Sequence, residues 1–240
     1  MAGPMEQFAI KSLIPIEVGG VDISFTNSSL FMMLAVLVST LVLGLCLTKR
    51  TLVPNVAQSF PESIYEFIGG LIKENVGAEG LKYFSFIFSV FLFIAFGNLL
   101  GLFPYSFTFT SHLTAVGTLS LLALMLNIFV GIKKKKWGWL RTFLPKGIPA
   151  VMAVLIIPIE IVSFLSKPFS LSVRLAANMT VGHVMLKIIA GFVVGLGAFG
   201  FVPLVFDALI VCFEMFISLL QAFIYTVLTC IYLSDAMHEH

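Results

Sequence analysis

Charge is scarce in this sequence. Of its 240 residues only 11% are Asp, Glu, Lys or Arg, against about 25% in soluble globular domains. Apolar residues make up 59%, and the mean hydropathy is +1.08. A globule of this composition has too few polar groups to cover its own surface. That excludes a water-soluble enzyme, and a disordered or fibrous chain equally, and leaves a polytopic helical membrane protein. A basic excess is missing too: the net charge is +2, which gives no footprint for nucleic acid. Cysteines are few. Cys46, Cys212 and Cys230 are odd in number, show no metal-ligand spacing and sit inside apolar stretches, so they read as packing residues. No metal or cofactor is expected. A cleavable signal is also lacking, because residues 1–22 hold Glu6, Lys11, Glu17 and Asp22 and no apolar core.

The few charges present mark the organisation. Residues 23–48 carry none; the apolar stretch Leu30 to Leu47 is long enough to span a bilayer, and Lys49 and Arg50 close it. In residues 51–82 Ile64, Phe67, Ile68, Leu71 and Ile72 repeat at helical spacing, with Glu62, Glu66, Lys73 and Glu74 on other faces. This predicts an amphipathic helix on the membrane surface, or one packed on the rest of the protein outside the membrane. Ser59 and Glu62 read as a capping box with Pro61 in the first turn. Residues 83–132 hold no Lys, Arg, Asp or Glu, which is room for two spans of about 20 residues each. A polar break from Pro104-Tyr105-Ser106 to Ser111-His112 separates them. The basic cluster of Lys133 to Lys136, Arg141 and Lys146 follows directly after a span. It reads as a cytoplasmic loop rather than a lipid- or nucleic-acid-binding patch. The amino terminus is then outside and, after five crossings, the carboxyl terminus inside.

Beyond residue 147 the pattern changes. Residues 148–190 read as helix yet hold Glu160, Lys167, Arg174, His183 and Lys187. Residues 201–234 read as a second helix holding Asp207 and Glu214. The glycine-rich stretch Gly191 to Gly200, followed by Pro203, reads as the turn between them. At about 1.5 Å per residue the first helix is roughly 65 Å long, against a hydrocarbon core of about 30 Å. It must be steeply tilted, broken, or laid nearly along the membrane, and Pro158 and Pro168 permit kinks. Three regions follow: 1–29, an extramembrane segment; 30–147, membrane helices with the surface helix and basic loop; and 148–240, a polar helical hairpin and tail.

A charge in mid-bilayer costs about 2.5–3.5 kcal/mol on insertion scales, so five ionisable groups in one membrane helix require a reason. Glu160, Lys167 and Arg174 are spaced by seven, nearly two turns, and share a face that Ser170 and Asn178 extend. His183 lies half a revolution round from Arg174, with Lys187 one turn beyond it. On the next helix Asp207, Glu214 and Gln221 are again spaced by seven. Two polar faces on one helix point to two aqueous paths that do not merge, with Arg174 on the division. Its guanidinium keeps its proton at physiological pH, so it repels cations and attracts carboxylates but cannot relay protons. Histidine, by contrast, titrates near neutrality, and His183 with Glu214 could line one path. The plainer alternatives are lysines that snorkel to the interface, a hydrogen-bonded core histidine at 183, and a structural bridge from Arg174 to Glu160. A metal site at His183 and Glu214 lacks any supporting ligand cluster. Asn178-Met-Thr180 matches a glycosylation pattern by chance, being inside a membrane helix.

Ser166-Lys-Pro-Phe-Ser-Leu-Ser-Val-Arg174-Leu-Ala-Ala-Asn178-Met resembles the signature of the F-type ATP synthase a subunit family. Leu219-Leu-Gln221-Ala-Phe-Ile-Tyr-Thr-Val-Leu-Thr with Tyr232-Leu-Ser resembles that family's last helix, and Asn98-Leu-Leu-Gly-Leu-Phe-Pro104-Tyr is a third match. The resemblance covers most of the chain from about residue 30. It implies a stator subunit, with no nucleotide chemistry of its own, beside a rotating ring of c subunits and attached to peripheral-stalk b-type subunits. Two proton half-channels would lead to and from the ring carboxylates, kept apart by Arg174. Glu160, His183 and Glu214 match positions on the proton path. Asn178 and Gln221 match polar residues flanking the arginine, while Ser170, Lys167 and Asp207 extend the same stripes. His at 183 and Glu at 214 is the order of mitochondrial and related bacterial members, which implies an alphaproteobacterial or mitochondrial source and a bacterial or mitochondrial inner membrane. A self-contained cation transporter is the nearest rival, but such folds show paired repeats, and no second copy of the Arg174 segment occurs. An intramembrane hydrolase lacks a nucleophile.

Overall fold

The computed structural model describes residues 9–18, 21–22, 24–48, 51, 54–103, 106–136 and 150–237. Lys49, Arg50, Pro104, Tyr105, Arg141 and Lys146, which carry part of the sequence argument, lie outside the described residues. The chain begins with two short antiparallel ribbons that the sequence reading did not anticipate. In one, β1 (Ser12–Ile14) pairs with β4 (Phe25–Thr26); in the other, β2 (Glu17–Val18) pairs with β3 (Val21–Asp22). Thr26 ends the ribbon and caps α1 (Asn27–Cys46), its hydroxyl accepting from Ser29 N at 3.4 Å. Inside α1 the hydroxyls of Ser39 and Thr40 donate to Val36 O at 2.9 and 2.8 Å, which keeps them paired where water is absent.

Helix α2 (Val56–Asn75) corrects the predicted start of the amphipathic segment. Asn55 is the N-cap, so Ser59 lies inside the helix and its hydroxyl donates to Asn55 O at 3.2 Å. Glu62 does not complete a capping box; it accepts from Gln58 Nε2 at 2.7 Å, while Gln58 also bonds the Thr51 backbone. Pro61 falls within the helix rather than in its first turn. The apolar face is as read. Ile68 and Ile72 are fully buried against Ile87, Val130, Cys230, Leu233 and Met237, and Phe67, half-exposed, places its ring 5.8 Å from that of Phe223. Thus α2 is docked on the ends of three membrane helices.

After a 3-10 turn (Ala78–Tyr83), α3 (Phe84–Gly101) and α4 (Leu113–Lys135) form the two expected spans, joined through a second 3-10 turn, Phe109–Ser111. Glu79 and Lys134 pair where the first turn meets the end of α4. The hairpin consists of α5 (Ala150–Gly195) and α6 (Phe201–Met237), with the 3-10 turn Gly197–Gly200 between them. Helix α5 is one unbroken element of 46 residues that holds both Pro158 and Pro168, so of the three options tilt or an in-plane course remains and breakage is excluded. Gly197 takes φ +53, and a side chain at Gly200 would collide with the Val193 carbonyl; glycine at both positions allows the chain to reverse tightly.

Five of these helices, all but α2, are long and apolar enough to cross a membrane. The architecture is therefore all-α and multi-pass. Its core is a cluster of Val90, Ile94 and Ala95 from α3, Val116 from α4, Leu171, Leu175 and Met179 from α5, and Ala222 and Tyr225 from α6. Among the cysteines Cys230 is buried in the α2 cluster, Cys46 is half-buried and Cys212 faces outward.

Candidate functional site

The buried positions of α5 explain where its polar residues go. Pro168, Leu171, Ser172, Leu175, Ala176 and Met179 pack inward at helical spacing. His183, four residues after Met179, continues that face. Ser170 and Arg174 lie on the opposite, open face, with Glu160, Lys167 and Asn178 half-buried along it. The Arg174 face is thus an open surface and His183 is turned toward the bundle, while Lys187, predicted to share the face of His183, is exposed. Glu160 and Arg174 are 14 positions apart on an unbroken helix, about 21 Å along its axis, so the structural bridge between them is ruled out. Lys167 does not simply snorkel: its Nζ lies 3.8 Å from Asp235 Oδ2 and 5.0 Å from the centre of the Tyr232 ring. This joins the middle of α5 to the end of α6.

On α6 the stripe spaced by seven faces inward. Asp207 is half-buried, and Glu214 and Gln221 are 5% and 7% exposed. Ser218 and Tyr225 fill the same face one turn on from Glu214 and Gln221. Neither carboxylate oxygen of Glu214 has a hydrogen-bond partner among the described residues. The carboxylate lies directly against Gly182: a Cβ there would stand 2.6 Å from Glu214 Cδ. Glu214 is thereby brought beside the residue preceding His183. The two groups lie at one level of the hairpin, and neither Glu214 oxygen is hydrogen-bonded to His183. Arg174 is not part of that group.

Several polar residues that the sequence reading passed over hold this arrangement. Asn98 Nδ2 donates to Ser218 O at 3.1 Å, tying α3 to α6. Ser218 Oγ reaches Met179 Sδ at 3.7 Å, tying α6 to α5. Ser172 Oγ lies 2.9 Å from Ser120 Oγ and 2.7 Å from Pro168 O, its one proton serving either of them, and so links α5 to α4. Thr108, in the α3–α4 connection, hydrogen-bonds His183 Nε2 at 2.9 Å. Ser218 and Tyr225 could have been found by extending the stripe on α6 by one turn. No sequence signal marks Thr108.

The long polar helix α5 and its partner α6 lie almost wholly within a region that known proteins share. Residues 29–234 match the family described as the ATP synthase A chain. The chain is 51% identical to ATP synthase subunit a of Paramagnetospirillum magneticum and 49% identical to that of Rhodospirillum rubrum, in both cases over 100% of each chain. It is 46% identical to ATP synthase subunit a of Mesorhizobium japonicum over 98% of this chain and 96% of the relative. The sequence match runs along the whole length, and the chain belongs to the ATP synthase A chain family.

Proposed function

We propose that this chain is the a subunit of an F-type ATP synthase membrane sector, a stator subunit that couples proton flow to rotation of a c-subunit ring. The observation that carries the reading is the separation of charges on α5. Arg174 is exposed on one face, while His183 and the buried Glu214 lie on the other side of the helix. A proton reaching the His183–Glu214 level leaves along a path that the helix body divides from the Arg174 face. On that face a ring carboxylate, ionised, is drawn to the guanidinium, which never gives up its own proton. A protonated ring carboxyl loses its proton to the exit path as it comes to that face, and the carboxylate so formed leaves the guanidinium when it reloads from the other path. Glu160 serves the second path, and Asn178, Gln221, Ser170, Lys167 and Asp207 keep the surfaces polar. Residues 148–240 form the translocating part, and 30–147 brace it.

The partners in this reading are the c ring, b-type subunits of the peripheral stalk and the lipid bilayer. The chain handles no nucleotide, and ATP is made elsewhere in the complex. The bacterial relatives favour the bacterial inner membrane over the mitochondrial one.

The test is the charge at 174. Arg174→Ala should assemble, since the side chain has no ion-pair partner among the described residues and its loss strands no buried charge. ATP-driven proton pumping in reconstituted vesicles should fall more than about tenfold, equivalent to only ~1.4 kcal/mol, while passive proton flux persists or rises. Arg174→Lys should also lose most coupled pumping, because lysine lacks the planar fork and can deprotonate in an apolar site. Near-normal pumping by an assembled Arg174→Ala complex would overturn the mechanism.

A further inference from the structure

Thr108 lies in the connection between α3 and α4 and is 4% exposed. Its Oγ1 makes two hydrogen bonds, to Gly101 O at 3.2 Å and with His183 Nε2 at 2.9 Å, across 75 residues of sequence. A threonine hydroxyl has one proton and two acceptor sites, so it cannot donate to both. Gly101 O has a second donor in the Ser106 hydroxyl, at 2.8 Å; that hydroxyl also lies 2.7 Å from Phe103 O, which already accepts from Ser106 N at 3.1 Å and so does not need it. The hydroxyl of Thr108 therefore has two complete arrangements. In one it donates to Gly101 O and accepts from a protonated His183 Nε2. In the other it turns and donates to an unprotonated Nε2, while Gly101 O keeps the bond from Ser106. Neither arrangement leaves a buried group unpaired, the condition that makes buried polar groups expensive.

The seat is built for this residue. A Cβ on Gly101 would stand 2.8 Å from both Oγ1 and Cγ2 of Thr108, so glycine is needed for the close approach. The Ser111 hydroxyl donates to Thr108 O at 2.6 Å, and the Thr180 hydroxyl, whose proton is taken by Ala176 O at 2.8 Å, lies 3.5 Å from Ser111 O. The first bond fixes the turn that carries Thr108, and the second contact sets that turn against α5 one turn before His183.

We propose that Thr108 is a positioning residue for His183: it holds the imidazole in place and lets the ring change its protonation at Nε2 while the threonine hydroxyl turns to follow. The inference rests on the reading that His183 lies on the proton path, and no proton is passed through Thr108 itself. The test uses the assembled synthase in vesicles, comparing Thr108→Val, Thr108→Ser and His183→Ala. Passive proton flux and ATP-driven pumping are measured together with the side-chain 15N resonances of labelled histidine. Valine keeps the branched shape and loses the hydroxyl. It should lower flux about five- to tenfold, the size of one net hydrogen bond, and redistribute the tautomers of the histidine signal that vanishes in His183→Ala. Serine should retain most of the wild-type rate and the wild-type 15N pattern. Wild-type flux and tautomers in Thr108→Val, with His183→Ala inactive, would overturn the role of Thr108 and leave the path standing. Normal flux in His183→Ala would overturn the path itself. Should the valine variant fail to assemble, Thr108→Ala replaces it, and equal rates for Ala and Ser would overturn the proposal.

Discussion

Glu214 and Gly182 show how a single missing side chain can set a functional position. The carboxylate occupies space that a Cβ at 182 would need, and the helices cannot part without disturbing the Ser218–Met179 and Asn98–Ser218 contacts nearby. Gly182→Ala should therefore displace Glu214 and slow proton flux. Its overpacking cost is about 1–3 kcal/mol, seen as a lower melting temperature of the solubilised complex. Glu214→Asp shortens the acid by one methylene. The double variant Gly182→Ala/Glu214→Asp should then outperform the Gly182→Ala single variant in both stability and flux, because residues in contact do not add independently. Simple addition of the two losses would mean that the contact is not made. At this scale the sequence was legible wherever a residue was polar and in helical register: spacing by seven put Glu214 and Gln221 on one stripe. It was silent on Gly182 and Thr108. Their importance comes from what stands opposite them in space, and no local pattern records that.

The helices were legible as spans, because runs without charge have the length a bilayer demands. Their ends were less so. A capping box at Ser59 was plausible on residue types alone, yet α2 starts at Val56, and the serine hydroxyl is satisfied by the backbone one turn back. The prolines in α5 permitted a break that packing overrode, since Pro168 is buried on the inward face and the helix continues through it. The ribbons before α1 pair two or three residues per strand, too short for an alternating pattern to show. Docking of α2 is the element-level feature with the clearest energetic test. Ile72 is fully buried between α2 and the membrane helices. Ile72→Ala should cost about 2–5 kcal/mol, as large-to-small core changes do, and expose α2 to added protease. Val56→Ala, at a position 91% exposed, should change neither melting temperature nor cleavage. Equal protease sensitivity of the two variants would show that α2 is held by something other than this apolar face.

For the molecule as a whole, an odd number of crossings places the two ends on opposite sides. With Cys46, Cys212 and Cys230 removed, single cysteines introduced as Leu13→Cys and His238→Cys should react with an impermeant thiol reagent from opposite faces of sealed vesicles. The first should react on the side away from the lysine-rich end of α4, and labelling of both from one face would refute five crossings. The tight turn between α5 and α6 bears also on how the protein is made. Helix α5 is the least apolar of the five spans and carries Glu160, Lys167, Arg174 and Lys187, each unfavourable in lipid by about 2.5–3.5 kcal/mol at mid-span. By itself it prefers the membrane surface. Helix α6, far more apolar, leaves the ribosome only a few residues later, because Leu196 to Gly200 is all that separates them. The two should therefore enter the bilayer as one unit, with the Lys167–Asp235 contact between the middle of α5 and the end of α6 closing once α6 is complete. A chain ended before α6 should accordingly leave α5 at the surface, extractable by alkaline carbonate, and should not open the membrane to protons.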